Sequence, residues 1–229
     1  MTELLLAEER QTVVDYAQRM VRDALVVGTS GNISLRRDNL IAVTPSGVDY
    51  DTMVAQDVAV VDMHGNLVDG ALKPTTELPF HLACHNRHGA IAVVHTHSTA
   101  ATALSLLRDE VPYVHYQIAM FGGSVSVAPY ATYGTDELVD SIDQALHERT
   151  GCIMKHHGTL CIGDTLGKAY DRARQLEWLC DVWLRASAVG TAELLPADEI
   201  ANVVGRFTTY GQPQAVSPRS TVGESVHVR

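Results

Sequence analysis

The sequence predicts a single α/β domain with a mixed central β-sheet and helices on both faces. Helical and strand-like segments alternate along the chain without an internal repeat, and no low-complexity linker interrupts them. The chain has 229 residues, of which 46% are hydrophobic and 19% charged, as is typical of a globular protein with a substantial core. We expect this domain to span residues 1–210, and a flexible tail rich in Ser, Pro, Gly and Gln to cover residues 211–229.

The first part of the chain predicts two helices separated by short strands. Apolar residues at helical spacing predict a helix over 6–26, which Gly28 ends. A His-Gly-Asn turn at 64–66 predicts a hairpin. Thr-Thr-Glu-Leu-Pro at 75–79 is typical of a helix start, with a hydroxyl cap, an acid in the first turn and an early proline; this helix is expected to end near His88. The strands are expected at 32–35, 40–43, 58–62 and 67–68.

The second part predicts further strands and four more helices. A continuous apolar run at 90–94 predicts a strand that is buried on both faces. Two strands are expected within 152–163, joined by a His-His-Gly turn. Asp164 is expected to cap a long helix that ends near Ala188. The remaining elements are expected to be helices over 98–107, 135–148 and 196–206 and a strand over 125–129.

Composition and charge exclude several classes of partner. The net charge of −10 makes nucleic acid an unfavourable partner, because a phosphate backbone attracts basic proteins. The sequence contains no run of about 18 apolar residues, so it does not predict a membrane-spanning helix. The N-terminal segment lacks the basic region of a signal peptide. Four scattered cysteines without a Cys-x-x-Cys pair indicate reduced thiols, so we expect a cytoplasmic protein.

Two histidines, His95 and His97, stand one residue apart at the end of the apolar run. Residues i and i+2 of a strand share a face and lie roughly 6–7 Å apart, so both imidazoles can reach one metal ion. Ordinary structural histidines would give the same spacing. A catalytic zinc usually has three protein ligands, and His156 or His157 is the best candidate for the third. Neighbouring residues of a strand face opposite ways, so only one of this pair should join the site.

A second group of histidines, His81, His85 and His88, has helical spacing. This spacing would suit a metal site on one face of a helix. We favour the alternative, a polar helix face, for these three residues.

Glu77 also has two interpretations, because it lies at the expected start of a helix. It could be a favourable charge on the helix dipole, or it could be a base or a carboxylate ligand in the histidine site. Thr75 and Thr76 beside it could offer hydroxyls to a phosphate. Small-residue segments at 28–32 and 44–47 have the composition of anion-binding loops.

The order of these motifs resembles that of the class II aldolase/adducin family, over about residues 8–211. The motifs are GTSGNISLR, TPSGVDY, TTE, HTH, HYQIA, GG followed by APYATYGT, HHG, and a final TTYG at 208–211. The resemblance implies the fold of that family, a zinc ion held by three histidines, and a homotetramer with active sites between subunits.

The resemblance also assigns roles to individual residues. It implies that His95, His97 and His157 hold the zinc, and that Glu77 is both the fourth ligand and the residue that moves the proton. It implies that Tyr116, from a neighbouring subunit, serves the aldehyde oxygen. The implied phosphate pocket is Gly31, Asn32, Ser46, Gly47, Thr75 and Thr76, and the aromatic residues implied near the substrate are Tyr133 and Tyr210.

The implied reaction is the reversible cleavage of a ketose 1-phosphate, such as L-fuculose 1-phosphate, to dihydroxyacetone phosphate and an aldehyde. A Lewis-acidic metal can stabilise the negative charge that this cleavage leaves on the three-carbon fragment, so no Schiff-base lysine is required. Relatives of the same fold are alternatives: a 5-deoxyribulose-1-phosphate aldolase, a methylthioribulose-1-phosphate dehydratase or a pentulose-phosphate 4-epimerase. The epimerase generally has Asp where this chain has Glu77. The retained histidines argue against a non-catalytic adducin-like scaffold.

Two departures from the family pattern concern the substrate. Thr75 and Thr76 stand where the family commonly has serines, so the hydroxyls are kept and the pocket is narrower. Met120 and Phe121 replace small residues, which bears on the sugar and not on the metal.

Overall fold

A mixed eight-stranded sheet forms the centre of the molecule, which is described here from a computed structural model over residues 4–207. The strands are β1 (Asn32–Arg37), β2 (Leu40–Val43), β3 (Ala59–Asp62), β4 (Leu67–Asp69), β5 (Ala92–Thr96), β6 (Val127–Ala128), β7 (Gly151–Met154) and β8 (Gly158–Gly163). Their order across the sheet is β4-β3-β2-β1-β5-β8-β7-β6. Neighbouring strands are antiparallel except β6 and β7, which are parallel. The predicted mixed sheet is confirmed.

Helices cover both faces of this sheet. They are α1 (Ala7–Arg22), α2 (Leu78–Arg87), α3 (Thr99–Ser105), α4 (Asp136–Ala145), α5 (Leu166–Val189) and α6 (Ala197–Phe207). Apolar residues of α1, α3 and α5 share one buried cluster, and those of α2 and α4 share another. Along β5, Val94 belongs to the first cluster and Val93 to the second, which explains the continuous apolar run.

Three local expectations need correction. The helix expected from 75 begins at Leu78: the Thr75 hydroxyl accepts the Glu77 N–H, and Glu77 takes the N-cap position. Thr165, and not Asp164, caps the long helix, because its hydroxyl accepts the N–H of Lys168. A six-residue 3₁₀ segment over 116–121 was not predicted, and the strand expected over 125–129 has only two residues.

The structure also describes the helices and the cysteines, on which the expectations about membrane spans and thiols depend. None of the helices within residues 4–207 has the length and apolar character needed to cross a membrane. All four cysteines are buried free thiols. The expected tail over 211–229 and Tyr210 lie outside the described residues.

Candidate metal centre

Four side chains, those of Glu77, His95, His97 and His157, converge at one end of β5. One ligand atom from each lies within 4.8 Å of the others. His95 Nε2 lies 3.0 Å from His97 Nε2 and 3.2 Å from Glu77 Oε2, and His157 Nε2 lies 3.1 Å from Glu77 Oε1. Tetrahedral zinc with bonds of about 2.0–2.1 Å needs ligand atoms roughly 3.3 Å apart. The spacing and the donor types therefore fit a zinc ion.

Strand pairing brings the histidines together. His95 lies on β5 and His97 directly follows the strand. β5 pairs with β8, and the Thr96–Thr159 pair places the turn before β8 beside them. His157 belongs to that turn and not to a strand, so the alternation argument for choosing between His156 and His157 does not apply.

The turn itself separates the two neighbouring histidines. His156 adopts a left-handed conformation with φ of 59°, its ring packs edge-on against Tyr130 at 5.9 Å, and its backbone N–H bonds to the Ser105 hydroxyl. Only His157 joins the cluster.

His95 is oriented by a backbone carbonyl. Its Nδ1 donates to the carbonyl oxygen of Thr159 at 2.8 Å, which fixes the proton on Nδ1 and leaves the lone pair of Nε2 facing the cluster. Beneath it, the hydroxyls of Thr96 and Thr159 are bonded at 2.7 Å and fully buried. This arrangement prepares the ring to ligate a metal before one binds.

Electrostatics favour the ligating form of the side chains. Burial raises the pKa of Glu77, but the interaction with His95 and hydrogen bonds to the carboxylate outweigh burial, so the pKa lies well below its ordinary value. Burial and the neighbouring histidines lower the pKa of His97 to about 3. Glu77 is therefore ionised and His97 neutral near pH 7, which are the forms that bind a metal.

A cavity of about 430 Å³ opens beside the cluster. Gly31 forms part of its wall with φ of 74°, and a Cβ there would lie 2.9 Å from the carbonyl oxygen of His95. The buried hydroxyl of Tyr50 donates to the Gly31 carbonyl at 2.5 Å. Glycine thus allows the 28–32 loop to lie directly against β5.

The structure places most of the predicted site residues in this cavity. Its lining includes Tyr133 and the predicted phosphate residues, namely Gly31, Asn32, Ser46, Gly47, Thr75 and Thr76. Tyr116 lies elsewhere, half exposed, in a cleft between the 3₁₀ segment and α6.

Several lining residues were not singled out from the sequence. They lie within the motifs GTSGNISLR, TPSGVDY and APYATYGT quoted above. Their position next to predicted site residues in these motifs is the signal by which they could have been found. These additional lining residues are Thr29, Ser30, Pro45, Tyr130 and Ala131. His156, considered above as a metal ligand, also lines the cavity.

The prediction of a polar face for His81, His85 and His88 is wrong for the first two. His81 and His85 are 0% and 1% exposed, because this side of α2 packs onto the sheet, where both meet the Ser34 hydroxyl of β1. His88, at the end of α2, is only partly buried and bonds to Asp143 of α4.

The mixed sheet, with a cluster of three histidines and one glutamate that could hold a metal ion, indicates an α/β enzyme. The chain belongs to the class II aldolase and adducin family: the sequence profile of the Class II Aldolase and Adducin N-terminal domain matches residues 11–184. The predicted enzyme class, a lyase of the class II aldolase type, is confirmed.

Similar proteins span nearly the whole chain. The 5-deoxy-D-ribulose 1-phosphate aldolase of Bacillus thuringiensis serovar kurstaki is 34% identical over 91% of this chain and all of that protein. The L-fuculose phosphate aldolase of Escherichia coli K12 is 37% identical over 87% of this chain and 94% of that protein. A solved structure of L-fuculose 1-phosphate aldolase superposes with a TM-score of 0.84 at 33% identity, covering 88% of this chain and 96% of the other.

Proposed function

We propose that the protein is a zinc-dependent aldolase that cleaves a ketose 1-phosphate reversibly to dihydroxyacetone phosphate and an aldehyde. The observation that carries the proposal is the position of the metal ligands. His97, His157 and Glu77 line the same cavity as the small-residue loops 29–32 and 45–47. A metal and a phosphate pocket on one cavity suit a substrate with a phosphate at one end and a ketone next to it.

The phosphate would be held by hydroxyls and backbone N–H groups. Thr75, Thr76 and Ser46 line the cavity, and their hydroxyls would donate to the phosphate. Gly31 and Gly47 have φ of 74° and 71°, and left-handed residues in such loops can turn successive N–H groups toward an anion. Among residues 4–207, neither lysine nor arginine lines the cavity, so binding would depend on these neutral donors and the metal.

The chemistry would be divided between the metal and Glu77. His95, His97, His157 and Glu77 would hold the zinc, which supplies a Lewis acid for the negative charge that develops on cleavage. Glu77 would carry the proton at its carboxylate oxygens, taking it from the carbon next to the ketone in the synthetic direction. No lysine of the described part of the chain lines the cavity, which agrees with a mechanism without a Schiff base.

The remaining roles concern the aldehyde half and the assembly. We propose that Tyr133 contacts the substrate from the same subunit and that Tyr116 is contributed by a neighbouring subunit of a homotetramer. Tyr210 is proposed as a further aromatic contact. We propose a cytoplasmic location for this assembly.

The sugar has two leading candidates, and both release dihydroxyacetone phosphate. L-fuculose 1-phosphate is the first, and 5-deoxyribulose 1-phosphate is favoured by a 34% identical relative of that name that this chain covers completely. The two substrates differ in the aldehyde that they release.

A coupled assay for dihydroxyacetone phosphate tests the function. Zinc-loaded protein is given each candidate and a panel of other ketose 1-phosphates, with and without a chelator, and bound zinc is measured in parallel. Release that chelator abolishes and added zinc restores is expected. Absence of release from every substrate by protein that holds zinc would contradict the aldolase proposal and favour the dehydratase or epimerase.

A further inference from the structure

A chain of buried polar side chains runs from Glu77 into the interface between the sheet and α2. Asn32 Nδ2 donates to Glu77 Oε2 at 2.7 Å, and Asn32 Oδ1 lies 2.5 Å from His81 Nε2. His81 Nδ1 in turn lies 2.7 Å from Ser34 Oγ. His81 and Ser34 are fully buried and neither lines the cavity, so their hydrogen-bonded connection to the site runs through Asn32.

The directions of these hydrogen bonds follow from the groups involved. An ionised carboxylate only accepts, so Asn32 turns its N–H to Glu77 and its oxygen to His81. The nitrogen that faces this oxygen, Nε2 of His81, therefore carries a proton. Burial lowers the pKa of His81 well below its ordinary value, so the ring is neutral and its Nδ1 is an acceptor that faces the Ser34 hydroxyl.

His85 holds Ser34 from the other side. Its Nε2 lies 2.7 Å from Ser34 Oγ, and its Nδ1 lies 2.8 Å from the carbonyl oxygen of Ala90. Burial lowers the pKa of His85 to about 4, so the neutral ring has one N–H. Because a carbonyl oxygen only accepts, that N–H is Nδ1–H donating to Ala90, and Nε2 is an acceptor facing Ser34. The single hydroxyl proton of Ser34 is therefore shared between two acceptors, Nδ1 of His81 and Nε2 of His85, and it is Asn32 that fixes the proton of His81 on Nε2.

We propose that His81 is a positioning residue for the aldol reaction, because through Asn32 it holds the Glu77 carboxylate in the orientation that binds the metal and moves the proton. Without the His81 N–H, the Asn32 oxygen has no donor, and the amide is no longer fixed in the orientation that donates to Glu77. This role rests on the proposed function, since the orientation of Glu77 affects turnover only if Glu77 carries the proton.

Two amide substitutions separate the hydrogen bond from packing. The amide N–H of Gln reaches about as far as His Nε2, whereas that of Asn reaches only about as far as Nδ1. His81→Gln is expected to keep kcat within a few-fold of the wild-type value, and His81→Asn to lower it roughly 10–100-fold, the usual effect of removing a partner behind a metal ligand. KM is expected to change less than kcat, and the zinc affinity, measured by competition with a chelator, to fall only in His81→Asn.

The matched control is Cys84→Ala, which removes buried atoms from the same helix outside the hydrogen-bonded chain. It is expected to lower the melting temperature and leave kcat and zinc affinity unchanged. Equal losses in His81→Gln and His81→Asn, or no loss in either, would overturn the proposal.

A spectroscopic measurement on the zinc-loaded wild-type protein is independent of activity. The ¹⁵N NMR signals of the histidines report which ring nitrogen carries the proton, and His81 is expected as the neutral Nε2–H tautomer. A proton on Nδ1 alone would refute the positioning role even if the protein cleaves ketose 1-phosphates. Conversely, if no ketose 1-phosphate is cleaved, the proposed function fails, and the zinc affinities and the tautomer still decide whether His81 positions Glu77.

Discussion

At the scale of single residues, the carboxylate of Glu77 is held from two sides. His95 and His157 approach its oxygens at 3.2 and 3.1 Å, and Asn32 donates to it from behind at 2.7 Å. The side chain of Glu77 does not cap its own helix, although Glu77 is the N-cap residue of α2. The helix therefore fixes the backbone of Glu77 while the carboxylate remains available to the metal and the substrate.

Glu77→Gln is expected to keep the zinc and lose turnover. The three histidines are enough to hold the ion, and an amide has nearly the shape of the carboxylate but cannot take a proton. General-base catalysis contributes typically 10²–10⁴-fold, so we expect kcat to fall by about that factor. The measurement is kcat for dihydroxyacetone phosphate release together with the zinc content of the purified variant.

Glu9→Gln is a suitable control, because Glu9 is also buried but pairs with Arg37, and neither residue lines the cavity. Its kcat should equal that of the wild-type protein. A normal kcat in Glu77→Gln would show that another group moves the proton.

At the scale of elements, the contact between β5 and β8 sets the geometry of the metal ligands. Gly158 is the first residue of β8 and follows His157. A Cβ on Gly158 would lie 1.9 Å from the carbonyl oxygen of Thr96 and 3.2 Å from the Cα of His97. The two strands can therefore approach closely at the metal site only because residue 158 has no side chain.

Gly158→Ala is expected to push the turn that carries His157 away from β5. Overpacking of this kind typically costs about 1–3 kcal/mol, and displacement of His157 should weaken zinc binding as well. Urea unfolding of the metal-free protein and chelator competition measure the two effects. Gly190→Ala is the control, because nothing lies within 4 Å of a Cβ there. Unchanged zinc affinity in Gly158→Ala would show that the turn tolerates the displacement.

At this scale, some features could be predicted from the local sequence and others could not. Helix and strand positions followed from apolar periodicity, and the convergence of His95 and His97 followed from strand geometry. The burial of His81 and His85 did not, because histidines at helical spacing look the same on a solvated face and on a face packed against Ser34 of β1. That distinction depends on which side of α2 meets the sheet, which is a long-range property.

At the scale of the whole molecule, the buried histidines couple folding to pH. Burial holds the pKa of His85 at about 4, against about 6.5 in an unfolded chain, and it lowers that of His81 as well. Between these values the unfolded chain binds protons that the folded chain does not, so stability falls as the pH falls. The contribution is fully present above the unfolded pKa and is lost progressively toward pH 4.

The metal-free protein is therefore expected to lose roughly 2 kcal/mol of unfolding free energy through His85 alone between about pH 7.5 and pH 5. Urea unfolding in the presence of a chelator at both pH values measures the loss. His85→Gln should reduce this pH dependence of the unfolding free energy. His88→Gln is the control, because His88 lies at the end of the same helix but outside the hydrogen-bonded series of buried side chains, and it should leave the contribution of His85 unchanged. An equal pH dependence in the wild-type protein and His85→Gln would contradict the assignment.

The position of Tyr116 concerns the assembly. Within one chain Tyr116 lies in the cleft beside α6, and it is not among the residues that line the metal-site cavity. If Tyr116 serves the aldehyde oxygen, as we propose, it must come from a second copy. The active site would then be shared, and assembly with a second copy would be required for activity rather than only for stability.

Subunit mixing tests this sharing. His95→Ala subunits lack a metal ligand and Tyr116→Phe subunits lack the phenol, so each variant alone is expected to be nearly inactive. In mixed oligomers, some sites would combine the intact metal ligands of a Tyr116→Phe subunit with the intact Tyr116 of a His95→Ala neighbour. Co-expression should therefore restore part of the wild-type kcat, whereas mixing without subunit exchange should not. If Tyr116 acted within its own subunit, no site in any mixture would be complete, and co-expressed oligomers of confirmed mixed composition would remain as inactive as their parents.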